Sequence, residues 1–442
     1  MQIEQDAEVT RLLDRISANQ NIDLEAWETA LRSAVLAAGA NILSGLLSNI
    51  GSGKPPDPVL CECGTRMESK GIKSKELLTI LGPVNYSRSM FQCSACHRTR
   101  YPGDEQLDIV HTTRSPGLRR MMARAGSRSP FKEAAQDLKI YADIDVSPKD
   151  VERVAEGIGA DIEAWSQQER ETLLGEERPI PLKKSIPVFY VSYDGTGIPM
   201  AQTELEGRKG KQADGSAKTR EAKLGCVFTQ TTTDENGFPV RDPDSTTFVG
   251  QIEAAEEFGN RIYAEAVRRG LENAQEVAIL GDAAEWIRSV AEMHFPRATQ
   301  IIDLYHAREH VSNLCKMLFS PDENQVTHHR IRWWHDMDAG VIEKIIGEAR
   351  FLLPADPERC KTAETELTYL QKNRDRMRYA NFRARHLFVG SGVIEAGCKS
   401  VIAQRLKQSG MEWSVQGANA ILSLRCAMLS GRLEDYWEDR LA

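Results

Sequence analysis

Apolar residues along this chain follow two rhythms. Between residues 188 and 305 they fall in short unbroken runs closed by glycine or a turn, and elsewhere they recur every three or four positions. Short closed runs of β-formers read as buried strands, and the longer period reads as helix. The run Val188-Phe-Tyr-Val-Ser-Tyr193 breaks into Asp194-Gly195-Thr196-Gly197. That predicts a strand with Asp194 at its carboxyl end, and glycines that let backbone and ligand approach closely. Strands follow at Ala222 to Gln230 and Thr246 to Gln251, on either side of the turn Asp234-Glu-Asn-Gly-Phe-Pro. A helix is predicted from about Glu253 to Gly270. Glu276-Val-Ala-Ile-Leu-Gly-Asp282 then repeats the buried strand ending in Gly-Asp, with an amphipathic helix over Ala283 to Met293 behind it. A last strand, Thr299 to Tyr305, closes on Asp303-Leu-Tyr-His306.

From Ala307 to about Arg385 the period is helical throughout. Trp333 and Trp334 stand among His328, His329 and His335, a group better read as buried helical core than as a metal or base-stacking site. This stretch is an all-helical insertion separating Asp303 from Glu395. Gly390-Ser-Gly-Val-Ile-Glu-Ala-Gly-Cys398 opens a basic helix carrying Glu395, Lys399, Arg405 and Lys407, with Glu395 and Lys399 spaced to pair. Gly410-Met-Glu-Trp413 leads into a closing helix over Ala418 to Leu429. The order β-β-β-α-β-α-β-α is that of an RNase H-like α/β mixed sheet, interrupted here by the insertion. Its first and fourth strands carry neighbouring acidic ends.

Ahead of this core, residues 1–50 read as helices, with Asp23 as an N-cap, and Gly51 to Pro58 reads as a linker. Cys61-Glu-Cys63 and Cys93-Ser-Ala-Cys96 bracket a β-rich segment with a Gly-Pro turn, a pattern that suits a tetrahedral structural Zn²⁺ in a zinc ribbon. Lys70, Lys73, Lys75, Arg88, Arg98 and Arg100 would give that ribbon a face for phosphates. Three short helices start at Ser115-Pro, Ser129-Pro and Ser147-Pro, each with serine as N-cap and proline at the first position. They fit a helix-turn-helix-like DNA-binding segment presenting Arg119 and Arg120, although the third helix starts acidic. Pro179 and Pro181 are expected to close the third helix, and Gly207 to Arg220 to form a basic loop. The implied divisions are 1–55 helices, 56–105 ribbon, 106–180 helical segment, 181–306 core, 307–388 insertion and 389–442 the rest of the core.

Composition changes this picture only locally. The chain has 442 residues and a net charge of -8, which argues mildly against nucleic acid as a partner. Yet residues 61–139 hold 14 Lys/Arg against 8 Asp/Glu, and residues 372–410 hold 9 against 2. Those two stretches restore the case for a phosphate-bearing partner. No apolar run reaches ~18 residues and the start lacks a secretory pattern, so no membrane partner and a cytoplasmic home are expected. In that compartment nine cysteines stay reduced, which favours metal over disulfides for the two pairs.

Two strand-end aspartates, Asp194 and Asp282, with the helix-borne Glu395, can converge on two divalent ions, Mg²⁺ or Mn²⁺. Such a pair stabilises the attacking and leaving oxygens of an in-line phosphoryl transfer. Asp303 and His306 have two readings. Either they end a strand as a cap and a satisfied histidine, or His306 serves the same site by touching the scissile phosphate or orienting a carboxylate.

Several stretches together carry a resemblance: Tyr193-Asp-Gly-Thr-Gly-Ile-Pro199, Lys218-Thr-Arg-Glu-Ala-Lys-Leu-Gly225, Leu280-Gly-Asp-Ala-Ala-Glu-Trp286, Asp303-Leu-Tyr-His306, Gly392-Val-Ile-Glu-Ala-Gly-Cys-Lys399, Gly410-Met-Glu-Trp413 and Leu424-Arg425. Over roughly residues 60–440 the chain resembles the DDE transposases of bacterial insertion sequences of the Kra type, distant relatives of the Mutator-like elements. The resemblance implies that Asp194, Asp282 and Glu395 are the catalytic triad on two Mg²⁺, with His306 beside them. It implies cleavage at transposon ends and joining to target DNA, by a homodimer or larger assembly. Arg220, Lys223, Lys399, Arg405 and Lys407 join Arg119 and Arg120 as expected DNA contacts. Residues Gly210 to Ala217 depart from the family as an extension before Lys218-Thr-Arg. Two rivals stand beside this reading: a nuclease or resolvase of the same fold that cuts without joining, and a catalytically inactive DNA-binding protein.

Overall fold

The computed structural model describes residues 24–49, 54–175, 185–210, 212 and 215–441, with Thr10 and Asp14 as isolated positions. The expected Asp23 cap and the closing prolines Pro179 and Pro181 lie outside the described residues. The chain divides into two compact units, Met1–Ile158 and Gly159–Ala442, and the division falls inside one long helix.

In the first unit, helix α1 (Leu24–Asn49) lies on a hairpin of β1 (Glu68–Thr79) and β2 (Gly82–Gln92). Ala40 and Leu47 of the helix share a core with Leu77, Val84 and Tyr86 of the hairpin. By length and a mean hydropathy of 1.5, Leu24–Ser48 is apolar enough to cross a membrane, although its apolar residues do not form one unbroken run. The hairpin turns through Ile80-Leu81, with Gly82 at φ +110 and Thr79 Oγ1 closing the corner. A short strand β3 (Thr99–Arg100) and helix α2 (Pro102–Gln106) complete the ribbon.

The three serine-proline helices are α3 (Pro116–Arg128), α4 (Phe131–Ala142) and α5 (Pro148–Leu174). Ser115 caps α3 by accepting from the Leu118 N–H, and Ser147 accepts from the Asp150 N–H. Ser129 departs from expectation: it ends α3, and Pro130 takes the capping position of α4. Leu118, Met122, Ala134, Leu138 and Val151 form their common core.

The second unit is built on a five-stranded sheet. Its strands are β4 (Ile186–Pro199), β5 (Thr219–Gln230), β8 (Thr247–Gln251), β9 (Ala274–Gly281) and β10 (Thr299–Ile302); a two-residue ribbon, β6 (Thr232–Thr233) with β7 (Pro239–Val240), lies between β5 and β8. The order across the sheet is β10-β9-β4-β5-β8. The strands β10, β9 and β4 run parallel, and β5 and β8 are antiparallel to their neighbours. Helices α6 (Ala255–Arg269) and α7 (Glu285–His294) cover one face, where Phe189, Val191 and Tyr193 of β4 meet Phe258, Ile262 and Ile287.

Side chains alternate along a strand, so Tyr190, Ser192 and Asp194 face the other way. Tyr190 stacks there on Phe228 at 4.8 Å and meets Phe388 edge-on.

The insertion is helical, as expected: α8 (Leu304–Phe319), α9 (Glu323–Asp338), α10 (Ile342–Phe351), α11 (Pro357–Asn373) and α12 (Tyr379–Ala384). Its tryptophans belong to packing. Trp333 is wholly buried and donates to Glu348, while Trp334 donates to the Arg308 carbonyl. The chain then returns through α13 (Gly392–Gly397), a wide helical turn at Cys398–Ala403, α14 (Gln404–Leu406), α15 (Val415–Leu429) and α16 (Leu433–Leu441).

Two boundaries differ from the sequence reading, each for a local reason. Strand β4 does not end at Asp194. Its parallel pairing with β9 reaches Ser192, but its antiparallel pairing with β5 runs on to Pro199. Strand β10 stops at Ile302, because Asp303 caps α8 by accepting from the His306 N–H at 2.7 Å. His306 therefore sits in the first turn of a helix rather than at a strand end.

Candidate active site and metal centre

The two clusters singled out in the sequence lie one in each unit. The thiol cluster is assembled by backbone. The Gly64 N–H closes a turn onto the Cys61 carbonyl, and the His97 N–H closes a second onto Cys93. Gly64 and His97 both take positive φ, +82 and +59, which bends each knuckle back on itself. The Sγ atoms of Cys61, Cys63, Cys93 and Cys96 all lie within 4.8 Å of one another. Three of the separations are 3.4, 3.6 and 3.9 Å. Tetrahedral Zn²⁺ with bonds of about 2.3 Å sets its sulfurs about 3.8 Å apart, so the donors fit zinc in chemistry and in spacing. The Cys63 thiol is pulled down to about 6, first by the Thr65 hydroxyl and then by the Thr65 backbone.

The basic face expected on this ribbon is largely neutralised. Asp104, only 4 % exposed, takes both Lys75 at 2.8 Å and Arg88 at 3.1 Å. Lys70 pairs with Glu68, Arg98 with Glu62 and Arg100 with Glu105. Arg119 is likewise buried on Asp108, whereas Arg120 is exposed.

The carboxylates are assembled by sheet register. Parallel pairing matches Ser192 with Leu280 and Ile302 with Gly281. Asp194 and Asp282 each lie two residues beyond the first of these pairs, and Asp282 and Asp303 each one residue beyond the second. They stand at the carboxyl ends of the parallel pairing, where open α/β sheets place ligands.

Glu395 reaches this edge by a different route. Its helix α13 packs on β4 and β5, on the face toward which Asp194 points. Gly397 permits that contact, since a Cβ there would stand 2.7 Å from Phe248 and 3.4 Å from Leu224. The wide turn that follows is held by the buried Arg425, which donates to the carbonyls of Val401 and Ser400. Wide turns of this kind often mark functional sites.

Each carboxylate is held by a local donor. The Gly195 N–H and the Cys398 thiol, 3.7 Å away, donate to Asp194. The Ala284 N–H donates to Asp282, and Ser391 Oγ to Glu395 Oε1 at 3.0 Å. No ion pair joins Glu395 to Lys399. Burial pushes the Asp194 carboxyl above its ordinary range; the Gly195 N–H opposes this, and the charges of Asp282 and Glu395 add to it. Like charges brought near a carboxyl disfavour its ionised form. Among the described residues, the thiols are the one group of three or more potential ligands whose ligand atoms all lie within 4.8 Å of one another.

The glycines after Asp194 do a different job from the one expected. A Cβ at Gly195 would meet Glu221, and one at Gly197 would meet Thr219, so they make room for side chains of β5 rather than for a ligand.

His306 meets His310 at 5.0 Å, and His310 stacks on Tyr369 at 3.5 Å while bonding Glu366. The Tyr369 hydroxyl is buried without a partner. Its ionisation is pushed up by burial first and next by the charge of Asp282. The helical stretch thus packs a buried tyrosine on His310, which the sequence reading missed.

The expected DNA contacts divide. Arg405 is fully buried over the Trp413 ring, and Lys223 is buried on Glu221 and the Glu253 carbonyl, over Trp286. Neither offers its charge to a phosphate. Lys399 is exposed and Arg220 half-buried. Lys407 bonds Thr196, two residues along β4 from Asp194.

Residues 252–440 match the model of a family described as an uncharacterised protein family, UPF0236. No curated protein matches the chain. Among solved structures, the Drosophila P element transposase strand transfer complex aligns at 10% identity over 75% of this chain and 97% of that one. Its TM-score of 0.33 does not define a shared fold.

Proposed function

We propose that the second unit is an RNase H-like catalytic core of a DDE transposase of the Kra type, which cuts transposon ends and joins the freed 3′-hydroxyls to target DNA. One observation carries this reading. Asp194 and Asp282 each lie two residues beyond the last matched pair of adjacent parallel strands, and the helix carrying Glu395 packs on β4 and β5, with the Cys398 thiol just after it 3.7 Å from Asp194.

The donor set is three hard carboxylate oxygens and suits Mg²⁺ or Mn²⁺. Two such ions would supply the charge that stabilises the entering and leaving oxygens of phosphoryl transfer. The protein's own groups then have assigned tasks. Asp194, Asp282 and Glu395 would hold the ions. Lys407, Arg220 and Lys399 face phosphates near that edge. His306, in the first turn of the helix that Asp303 caps, would serve the scissile phosphate. The thiol cluster keeps the ribbon of the first unit folded on Zn²⁺, and Arg120 of α3 contacts end DNA. Strand transfer needs two paired ends, which calls for at least a dimer.

The test is an oligonucleotide assay with transposon ends and Mg²⁺. Wild type should give both cleaved and joined products, and Asp282→Asn neither. Joining by Asp282→Asn would overturn the assignment, and cleavage without joining by wild type would reduce the protein to a nuclease.

A further inference from the structure

Asp303 and Asp282 each lie one residue beyond the last matched pair of β10 and β9, so position alone would make Asp303 a further metal ligand. Its bonding says otherwise. The side chain sits in a residue only 3 % exposed. Oδ1 accepts from the His306 N–H at 2.7 Å. Oδ2 accepts from the Ser391 N–H at 2.6 Å and from Ser391 Oγ at 3.1 Å. With most of its lone-pair directions taken by protein donors, this carboxylate is committed to the protein.

We infer that Asp303 and Ser391 are positioning residues that set Glu395 against the strand edge, an inference that rests on the metal-site reading above. The chain reaches Glu395 only after the whole helical insertion, so its approach must be fixed again from the sheet. Three bonds do this. The Leu304 N–H donates to the Val389 carbonyl at 2.9 Å, and both donors of Ser391 reach Asp303. Ser391 then starts the helix: its carbonyl accepts from the Ile394 N–H at 2.9 Å and the Glu395 N–H at 3.2 Å.

The Ser391 hydroxyl has one proton and two carboxylate acceptors, Asp303 Oδ2 at 3.1 Å and Glu395 Oε1 at 3.0 Å. While Glu395 holds no cation, the shared proton keeps its side chain at the edge. When Glu395 turns to a cation, the proton stays with Asp303, so no donor is stranded. Asp303 is thus the fixed point from which the late-arriving glutamate is placed.

Two measurements on the full chain test this. In the absence of divalent cations, amide exchange of residues 392–397 is compared in wild type, Ser391→Ala and Asp303→Asn. Exchange should quicken about 5-fold in Ser391→Ala, the equivalent of one lost hydrogen bond, and more in Asp303→Asn. In Mg²⁺ titrations of DNA cleavage, Ser391→Ala should raise the Mg²⁺ midpoint by about 10- to 100-fold, as loss of a ligand's supporting partner does. Its rate at saturating Mg²⁺ should stay within about 2-fold of wild type, a split that a general loss of folding would not give. Unchanged exchange in Ser391→Ala, or an unchanged midpoint, would overturn the inference. If wild type cleaves nothing but exchange quickens, the positioning stands and the catalytic reading falls.

Discussion

The two clusters, four thiols in the first unit and three carboxylates in the second, are assembled by opposite means. Each thiol pair is carried on one tight turn closed by its own backbone hydrogen bonds, and the ligand atoms are already at tetrahedral spacing. Local geometry alone builds that centre. The carboxylates come from β4, the end of β9 and a helix that arrives after the insertion, and each rests on a nearby donor rather than on the others. Asp194 is held at an electrostatic cost. A centre that is closed and preformed suits a structural ion; one that is open, strained in charge and stitched from distant elements suits ions that arrive with a substrate.

The largest test of this contrast is at the thiols. Cys93→Ser should abolish zinc retention and unfold the ribbon, at an apparent cost of about 10 kcal/mol of metal-coupled folding. Zinc content and amide exchange of residues 68–92 report it, while the sheet of the second unit stays protected. Zinc-free ribbon with unchanged protection would break the comparison. Next comes Glu395→Gln, which should lower DNA cleavage by about a thousand-fold, of the order seen when a transition-state charge contact is lost. Its melting temperature should not fall. A variant that cuts at the wild-type rate would remove Glu395 from the site.

A smaller effect is expected where α13 meets the sheet. Gly397→Ala pushes a methyl against Phe248 and should cost about 1–3 kcal/mol by overpacking. Denaturant unfolding measures it, and a neutral result would mean that the close approach is not needed.

The smallest effect is the one with a pH signature. Burial raises the folded-state pKa of Asp194. Its stabilising contribution is therefore complete below the unfolded carboxyl value, about 3.9, and is lost as pH rises through the folded value. At neutral pH its charge opposes folding. Asp194→Asn should then raise the melting temperature by about 2 °C at pH 7, with the gain vanishing in acid. Mg²⁺ should stabilise wild type and not the variant. A lower melting temperature for the variant at pH 7 would contradict the sign.

Much of this contrast was legible along the chain, because each cluster leaves a local mark. Paired cysteines announce their turns, and apolar runs ending in aspartate announce where the parallel pairing stops. What escaped was tertiary. Lys223 and Arg405 look like phosphate contacts in the sequence, but Trp286 and Trp413 take them into the interior. Tyr369 carries no mark at all, since its stacking on His310 exists only once α8 and α11 pack together. The β10 boundary was misread because Asp303 fits a strand end and a helix cap equally well, and its bond to the His306 N–H decides for the cap. Ser391 was the readable signal left unread: a serine four residues before a helix-borne glutamate is within reach of it.

The most direct measurement strips exchangeable divalent ions while leaving zinc in place, then follows cleavage of transposon-end DNA as Mg²⁺ is restored. The zinc-loaded protein should cut nothing until Mg²⁺ returns, and a Glu395→Gln variant should stay silent throughout. Cleavage by the zinc-loaded protein without added Mg²⁺ would place the chemistry at the thiol centre and contradict the account.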